Sequence, residues 1–206
     1  MIAATGCRTF LTYTTIPMPL TALDPNTALL VIDLQRGILA RPGVDLRDVI
    51  ANAAALAGAF RRRDLPVVLV TAAGRAPGRT ELQRPTGTLS PDFTEVLPEL
   101  DRRPGDHLVT KHTWGAFPGT GLEAYLRGAG VTQVVVAGVA TSFGVESTAR
   151  QAYEHGFHVT LATDAMFDPS PEAHHHSVTR IFPKLGETGT TQEILDLLRA
   201  DSPASV

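Results

Sequence analysis

Short apolar runs alternate with amphipathic segments along most of this chain. Continuous apolar runs of five to nine residues are typical of strands buried on both faces, as in a parallel sheet. They span 27–33, 65–71, 107–111, 131–139 and 157–162, with a further short strand near Glu187. Apolar residues recur at helical spacing in 45–60, 121–127, 142–155, 172–182 and 191–200. The alternation predicts an α/β fold with three layers, a mostly parallel, Rossmann-like sheet between two layers of helices.

Three segments with candidate catalytic residues lie at the ends of these predicted strands. Asp33 ends the first strand, Lys111 ends the third, and the turn Gly138–Gly144 follows the fourth. Sites in open parallel sheets lie at the carboxyl ends of the strands. We therefore expect these three segments to converge on one crevice.

The same three segments resemble the motifs of a known family. The stretch Gly138-Val139-Ala140-Thr141-Ser142-Phe143-Gly144-Val145-Glu146-Ser147-Thr148-Ala149 resembles the catalytic turn of the isochorismatase-like hydrolases, also called the cysteine hydrolase family. Val31-Ile32-Asp33-Leu34-Gln35 resembles the family's opening motif, and Val109–Phe117 resembles its second catalytic segment. The resemblance covers almost the whole predicted domain, with the motifs in order.

The resemblance assigns roles to several residues. It implies that Asp33 is a catalytic acid or base and that Lys111 holds the charge of Asp33 and orients substrate or water. It also implies a cis peptide between Val139 and Ala140. The backbone N–H groups of Ala140 and Gly144 are expected to bind an oxyanion or a substrate carboxylate at the start of the following helix.

Gly144 departs from the pattern of most family members, because they carry a nucleophilic cysteine at this position. Without a thiol there, the chain resembles the smaller branch of the family, which includes isochorismatases that cleave a vinyl ether. Ser142 and Ser147 are the nearby hydroxyls, but neither lies in a Gly-x-Ser-x-Gly turn. We interpret Ser142 as a helix cap and Ser147 as a buried helical hydroxyl.

In the vinyl-ether reaction, Asp33 would protonate the enol-ether carbon and water would attack the resulting oxocarbenium ion. This chemistry needs a protonated Asp33, whereas Lys111 favours the ionised form. If burial or a bound carboxylate does not raise the pKa of Asp33, it would instead act as a general base on water. Two alternatives stay open: a ligand-binding or scaffold protein without catalysis, and a lyase or isomerase that uses Asp33 on a small carbonyl compound.

Substrate contacts are predicted from residues near these motifs. Gln35 belongs to the opening motif, and an aromatic wall is expected from Trp114, Phe117 and Phe143. Arg75 and Arg79, with Arg84, lie in a loop rich in glycine and proline. Because arginine binds carboxylates in a bidentate manner, these residues favour an acidic substrate.

No metal or other cofactor is predicted. His174, His175 and His176 are consecutive, and on a helix such neighbours point about 100° apart, so they cannot chelate one ion together. Some nicotinamidases hold zinc through an Asp-x-His segment. The corresponding region here, Thr71–Arg75, contains neither residue.

Composition and charge indicate the number of domains, the location and the kind of partner. The chain has 206 residues, 43% hydrophobic and 19% charged, which predicts a single domain over 21–206 after a disordered tail over 1–20. The net charge of −3 without a basic run gives no reason to expect nucleic acid as a partner. Cys7 is the only cysteine, which fits a cytoplasmic location, and no apolar run is long enough to cross a membrane. The resemblance further implies a homo-oligomer, either a dimer or a tetramer, that acts on a small molecule.

Overall fold

The computed structural model describes residues 20–39, 45–81 and 88–200, and its centre is a parallel sheet. Within these ranges the sheet has six strands: β1 (Thr27–Ile32), β2 (Val67–Ala72), β3 (His107–Lys111), β4 (Gln133–Val139), β5 (His158–Phe167) and β6 (Glu187–Gly189). Their order across the sheet is β3-β2-β1-β4-β5-β6, and every pair is parallel. The predicted Rossmann-like sheet is confirmed, and the strand order reverses between β1 and β4.

Two helical layers cover the sheet. The helices are α1 (Arg36–Leu39), α2 (Arg47–Arg62), α3 (Leu122–Gly128), α4 (Glu146–Glu154), α5 (Pro171–His176) and α6 (Thr191–Ala200). The side chains of β1 alternate between the layers, as the period of a strand requires. Leu30 and Ile32 pack in the same cluster as α3 and α4, whereas Leu29 and Val31 pack in the same cluster as α2 and α6.

A glycine allows the two central strands to approach each other closely. Gly138 has a positive φ of 117°, and a Cβ atom there would lie 2.0 Å from the carbonyl oxygen of Ile32. No residue with a side chain could occupy this position without moving β1. The close approach brings the turn after β4 beside the residue that follows β1, which is Asp33.

Several predicted boundaries are wrong. The helix predicted to begin at Ser142 starts with a π-helical turn, Thr141–Val145, that runs into α4. The helix predicted over 172–182 ends as α5 at His176 and is followed by a second π-helical turn, Ser177–Ile181. β5 was predicted to end at Ala162, but an irregularity in its pairing with β4 lets it continue to Phe167.

The first described residues pack against the domain, and the division into a tail over 1–20 and a domain over 21–206 stays a prediction. Leu20 packs against the core, and the backbone N–H of Thr21 donates to the carboxylate of Glu187 at 3.0 Å. The rest of the predicted tail, including Cys7, lies outside the described residues. Within the described ranges, none of the helices is long and apolar enough to cross a membrane.

Candidate active site

A buried ion pair joins the ends of two strands that are not neighbours. Asp33 follows β1 with a left-handed backbone (φ 55°), and its N–H donates to the carbonyl of Val70 in β2 at 2.9 Å. Lys111 ends β3 on the far side of β2. Its Nζ donates to Asp33 Oδ2 at 2.8 Å, and the two residues are only 2% and 6% exposed.

The other contacts of Lys111 narrow its role. Nζ also donates to the carbonyl of Trp114 at 2.8 Å and to that of Thr113 at 3.3 Å. An ammonium group has three protons to donate, and these three acceptors use all of them. Lys111 therefore holds Asp33 and the segment after β3. Its role in orienting substrate or water stays a prediction.

Only one of the two carboxyl oxygens of Asp33 is hydrogen-bonded within the described residues. Oδ2 accepts from Lys111, whereas Oδ1 is buried and has no hydrogen-bond partner among the described residues. Burial raises the pKa of Asp33 from its ordinary value of 3.8 to about 6, although the charge of Lys111 lowers it. Desolvation thus outweighs the neighbouring cation, and the carboxyl gains or loses its proton at about pH 6.

The turn after β4 lies directly against this carboxyl. The peptide between Val139 and Ala140 is cis, as the resemblance implied. A Cβ atom at Gly144 would lie 3.0 Å from Asp33 Oδ2 and 3.1 Å from both Ile32 Cγ2 and the Val139 carbonyl oxygen. The backbone of Gly144 therefore occupies a crowded position beside Asp33, where a side chain would fit only if its neighbours moved by a few tenths of an ångström.

The same turn presents a donor at the beginning of a helix. The Ala140 carbonyl accepts from the N–H groups of Phe143 and Val145 at 3.1 and 3.2 Å. In contrast, the N–H group of Ala140, which is half-buried, has no backbone acceptor within the described part of the chain. The first N–H groups of a helix carry partial positive charge and are suited to bind an anionic group.

Two of the three predicted aromatic residues lie at the site. Trp114 and Phe143 form an edge-to-face pair with ring centroids 5.0 Å apart, and they are 56% and 46% exposed. Trp114 precedes Gly115, and its carbonyl accepts from Lys111. Phe143 directly precedes Gly144. Phe117 is instead a core residue, 6% exposed, whose ring lies 6.2 Å from that of Phe157. Its assignment to the aromatic wall is therefore wrong.

Gln35 has a structural role instead of the predicted contact with substrate. Its side chain is completely buried, and its Nε2 donates to the carbonyls of Ala72 and Phe93 at 3.0 and 2.8 Å. Its Oε1 accepts from the Ala72 N–H at 2.6 Å. Because both amide protons are used, Gln35 fastens the end of β2 to the segment near Phe93.

The predicted basic loop has no observed connection to the site. Arg75 and Arg79 are exposed, and Arg84 lies outside the described residues. Neither an ion pair nor a hydrogen bond between the first two and Asp33 is present in the described ranges. Their role in binding an acidic substrate stays a prediction.

Asp168 and His174 are site neighbours that the sequence analysis did not assign. Asp168 follows β5, and its Oδ2 accepts from the N–H and Oγ of Ser142 at 2.8 and 2.7 Å. A hydrogen bond of 2.9 Å joins His174 Nδ1 to Thr141 Oγ1. The cap that was predicted at Ser142 is thus supplied by the carboxylate of Asp168. The only sequence signal was an acidic residue after β5, in Asp168-Pro169-Ser170.

No cluster of three or more His, Cys, Asp or Glu side chains that could hold a metal ion occurs within residues 20–39, 45–81 and 88–200. His175 and His176 are exposed, while His174 is half-buried and bonded to Thr141.

Comparison with known protein families agrees with this geometry. The model of the isochorismatase domain matches residues 27–193. The chain belongs to the isochorismatase family. It is 40% identical over 183 residues to the uncharacterized isochorismatase family protein YecD of Escherichia coli O157:H7, and the match covers 84% of this chain and 96% of the relative. YwoC of Bacillus subtilis is 38% identical over 181 residues, which cover 84% and 95% of the two chains.

A solved structure is similar over the same region. An isochorismatase family protein from Burkholderia thailandensis has a TM-score of 0.82 and 41% identity, covering 86% of this chain and 98% of its own. The family also includes nicotinamidase 3 of Arabidopsis thaliana, which is 32% identical over 163 residues, 73% of this chain and 79% of the relative. The members of this isochorismatase family are hydrolases, and this chain is an enzyme of that class.

Proposed function

We propose that this enzyme cleaves a vinyl ether of a small, anionic substrate by hydrolysis, with Asp33 as the general acid and without a covalent thiol intermediate. The observation that carries the proposal is the state of the Asp33 carboxyl. It is buried, its pKa is raised to about 6, and Oδ1 has no partner within the described residues. A catalytic acid works best with a pKa near the working pH.

The lysine contact decides which oxygen carries the proton. Oδ2 accepts from Lys111 Nζ, so the proton of the neutral carboxyl resides on Oδ1. Transfer of this proton to the terminal alkene carbon gives an oxocarbenium ion and leaves a carboxylate beside Lys111. The cation stabilises the charge that develops on Asp33 during this step.

Water completes the reaction. Its oxygen bonds to the oxocarbenium carbon while one of its protons returns to Asp33, which restores the acid. The resulting hemiketal breaks its bond to the ether oxygen, giving a ketone and an alcohol. The N–H group of the half-buried Ala140 is suited to hold the substrate's carboxylate, and the Trp114–Phe143 pair is suited to pack against its unsaturated part.

Amide hydrolysis through a thioester is not favoured by the same geometry. A thiol nucleophile beside Asp33 would need a side chain at Gly144, where a Cβ atom would lie 3.0 Å from Asp33 Oδ2. The only cysteine of the chain, Cys7, precedes the domain. We therefore do not assign to this chain the reaction after which a relative such as nicotinamidase 3 is named.

A second candidate function follows from the same pKa. Above pH 6 most Asp33 side chains are ionised, and a buried carboxylate can act as a general base on water that attacks an ester or an imine-like carbon. The two candidates differ in the direction of their pH dependence. If Asp33 acts as a general acid, activity should fall as the pH rises through about 6. If Asp33 acts as a general base, activity should increase as the pH rises through about 6.

The proposal is tested by turnover of isochorismate in water labelled with oxygen-18, measured as pyruvate release. The comparison includes Asp33→Asn and a matched control, Asp106→Asn. Asp106 is the other buried carboxylate in an ion pair within the described residues; it accepts from Arg61 at 2.8 Å and its side chain is 3% exposed.

We expect pyruvate from the wild type and from Asp106→Asn, at least about 100-fold less from Asp33→Asn, and no label in the alcohol product. Absence of pyruvate with the wild type contradicts the vinyl-ether reaction. Full activity of Asp33→Asn contradicts the role of Asp33, and label in the alcohol shows that water attacks the ring carbon instead.

A further inference from the structure

The segment that follows β5 is bonded to the catalytic turn at three places. Asp168 accepts from both the N–H and the Oγ of Ser142, His174 bonds to the Thr141 hydroxyl, and Ser177 Oγ donates to Glu146 Oε2 at 2.6 Å. Each contact reaches a different residue of the turn or the first position of α4. Residues 168–177 therefore form a support for the helix beginning that lies against Asp33.

Asp168 is the best anchored part of this support. It is 5% exposed, and its three hydrogen bonds come from Ser142 N–H, Ser142 Oγ and the Ser170 N–H, the last at 3.0 Å to Oδ1. A buried carboxylate without a cation needs such donors, and charge-assisted bonds of this kind are strong. Asp168 thus fixes the backbone two residues from both Ala140 and Gly144.

His174 supports the turn from its other side. Thr141 is completely buried and comes directly after the cis peptide, so its hydroxyl can reach only a partner that packs on the turn. The ring of His174 supplies that partner at 2.9 Å. The adjacent His175 is exposed, and its carbonyl accepts from the Thr179 hydroxyl.

We propose that Asp168 and His174 are positioning residues of the catalytic turn, which they hold so that its N–H groups and Gly144 stay in register with Asp33. This inference rests on the proposed function for its kinetic readout. Neither residue contacts Asp33, so both act through Ser142 and Thr141. Misplacement of a catalytic group by about 1 Å costs on the order of 100-fold in rate.

The chain contains a matched control for Asp168. Asp164 accepts from the N–H and Oγ of Thr191 at 2.7 and 2.8 Å, so it caps α6 with the same pair of bonds. α6 packs against α2 and β5. Loss of either cap should destabilise the beginning of a helix, the more so for the buried Asp168, but only the loss of Asp168 should disturb the site. His175→Ala is the corresponding control for His174→Ala.

The test measures kcat and KM for isochorismate together with hydrogen–deuterium exchange. Asp168→Ala should lower kcat about 100-fold, His174→Ala about 10-fold, and both should change KM less than about threefold. Asp168→Asn, which retains an acceptor for Ser142, should recover part of the loss. Asp164→Ala and His175→Ala should stay within about twofold of the wild type. Exchange should increase over 140–146 in Asp168→Ala and around Thr191 in Asp164→Ala.

The inference is overturned if Asp168→Ala keeps its kcat, or if both cap variants lose activity in proportion to their loss of stability. If Asp168→Ala does not fold, Ser142→Ala carries the test, since it removes only the hydroxyl bond; an unchanged kcat there contradicts the inference. If the wild type does not release pyruvate, the proposed function fails, and the exchange measurement alone decides. Unchanged protection of 140–146 in His174→Ala and in Asp168→Ala, or in Ser142→Ala if Asp168→Ala does not fold, would then reject the support.

Discussion

Replacement of Lys111 by methionine should move the pH profile of the enzyme to higher pH. The change keeps most of the buried volume but removes the cation that lies 2.8 Å from Asp33 Oδ2. Two unit charges at that separation interact by about 6 kcal/mol at an effective dielectric constant of about 20. Because one pKa unit corresponds to about 1.4 kcal/mol, the upper limit of the shift is about 4 units.

Water that enters beside the shorter charge-free side chain will reduce this shift, and we expect about half of it. The pKa of Asp33 should therefore rise from about 6 to above roughly 8. The midpoint of the alkaline limb of kcat/KM should move by the same amount. The plateau value of kcat/KM at low pH should be lower than that of the wild type, because a weaker acid protonates carbon more slowly.

The assay is kcat/KM for isochorismate between pH 5 and pH 9 (a range of about four units chosen to span both midpoints). The chain has one other lysine, the exposed Lys184, so Lys184→Met is the matched control and should keep its midpoint near 6. Lys111→Arg retains the cation and should also stay near 6. A midpoint that does not move in Lys111→Met, or that moves to lower pH, would refute the role assigned to Lys111.

The remaining predictions concern other residues of the site. Gly144→Ala should lower kcat at least about 10-fold, and Gly144→Cys should not create a nicotinamidase, because a Cβ atom would lie only 3.0 Å from the Asp33 carboxyl and would press against it; efficient nicotinamide hydrolysis by Gly144→Cys would contradict the crowding. Gln35→Leu should destabilise the fold by about 2–4 kcal/mol in urea unfolding, since it leaves the Ala72 N–H and two carbonyls without partners; unchanged stability would show that these bonds are replaced. Asp33 has a higher pKa in the folded state than the ordinary value of 3.8, so its contribution to stability is fully present below pH 3.8 and is lost as the pH rises to about 6, by about 3 kcal/mol in total. The stability difference between the wild type and Asp33→Asn should change over that window, and a difference independent of pH would exclude the raised pKa. Cys7→Ser and treatment with iodoacetamide should leave kcat unchanged; inhibition through Cys7 would contradict a mechanism without a thiol.

The parts of the molecule that depend on local pattern could be predicted from the sequence. Apolar runs such as Thr27–Ile32 can be buried only in a sheet covered on both faces, so the sequence predicted the layers and, to within one residue, the carboxyl ends of β1 to β4. The convergence of Asp33, Lys111 and the turn before Gly144 followed from the rule that parallel strands present their carboxyl ends on one edge. The cis peptide between Val139 and Ala140 came from family resemblance and not from any physical pattern.

The parts that depend on contacts between distant segments could not be predicted. Phe117 and Gln35 are near the motifs in the sequence, but packing against Phe157 and hydrogen bonds to Ala72 bury both side chains. Asp168 is 26 residues from Ser142 in the sequence, and no local sequence pattern predicts their contact. The pKa of Asp33 is a balance between burial and the charge of Lys111, and only the three-dimensional environment determines which prevails.

The most direct test of the account is the titration of Asp33 itself. Carboxyl groups of the wild type and of Asp33→Asn can be followed between pH 3 and pH 8 (about five units, enough to cover both the ordinary and the raised value) by carbon-13 NMR or difference infrared spectroscopy, and the signal absent from the variant belongs to Asp33. The account predicts a midpoint at about 6, with Lys111 in place. A midpoint near or below the ordinary value of 3.8 would mean that Lys111 keeps Asp33 ionised, and it would contradict general-acid catalysis by this residue.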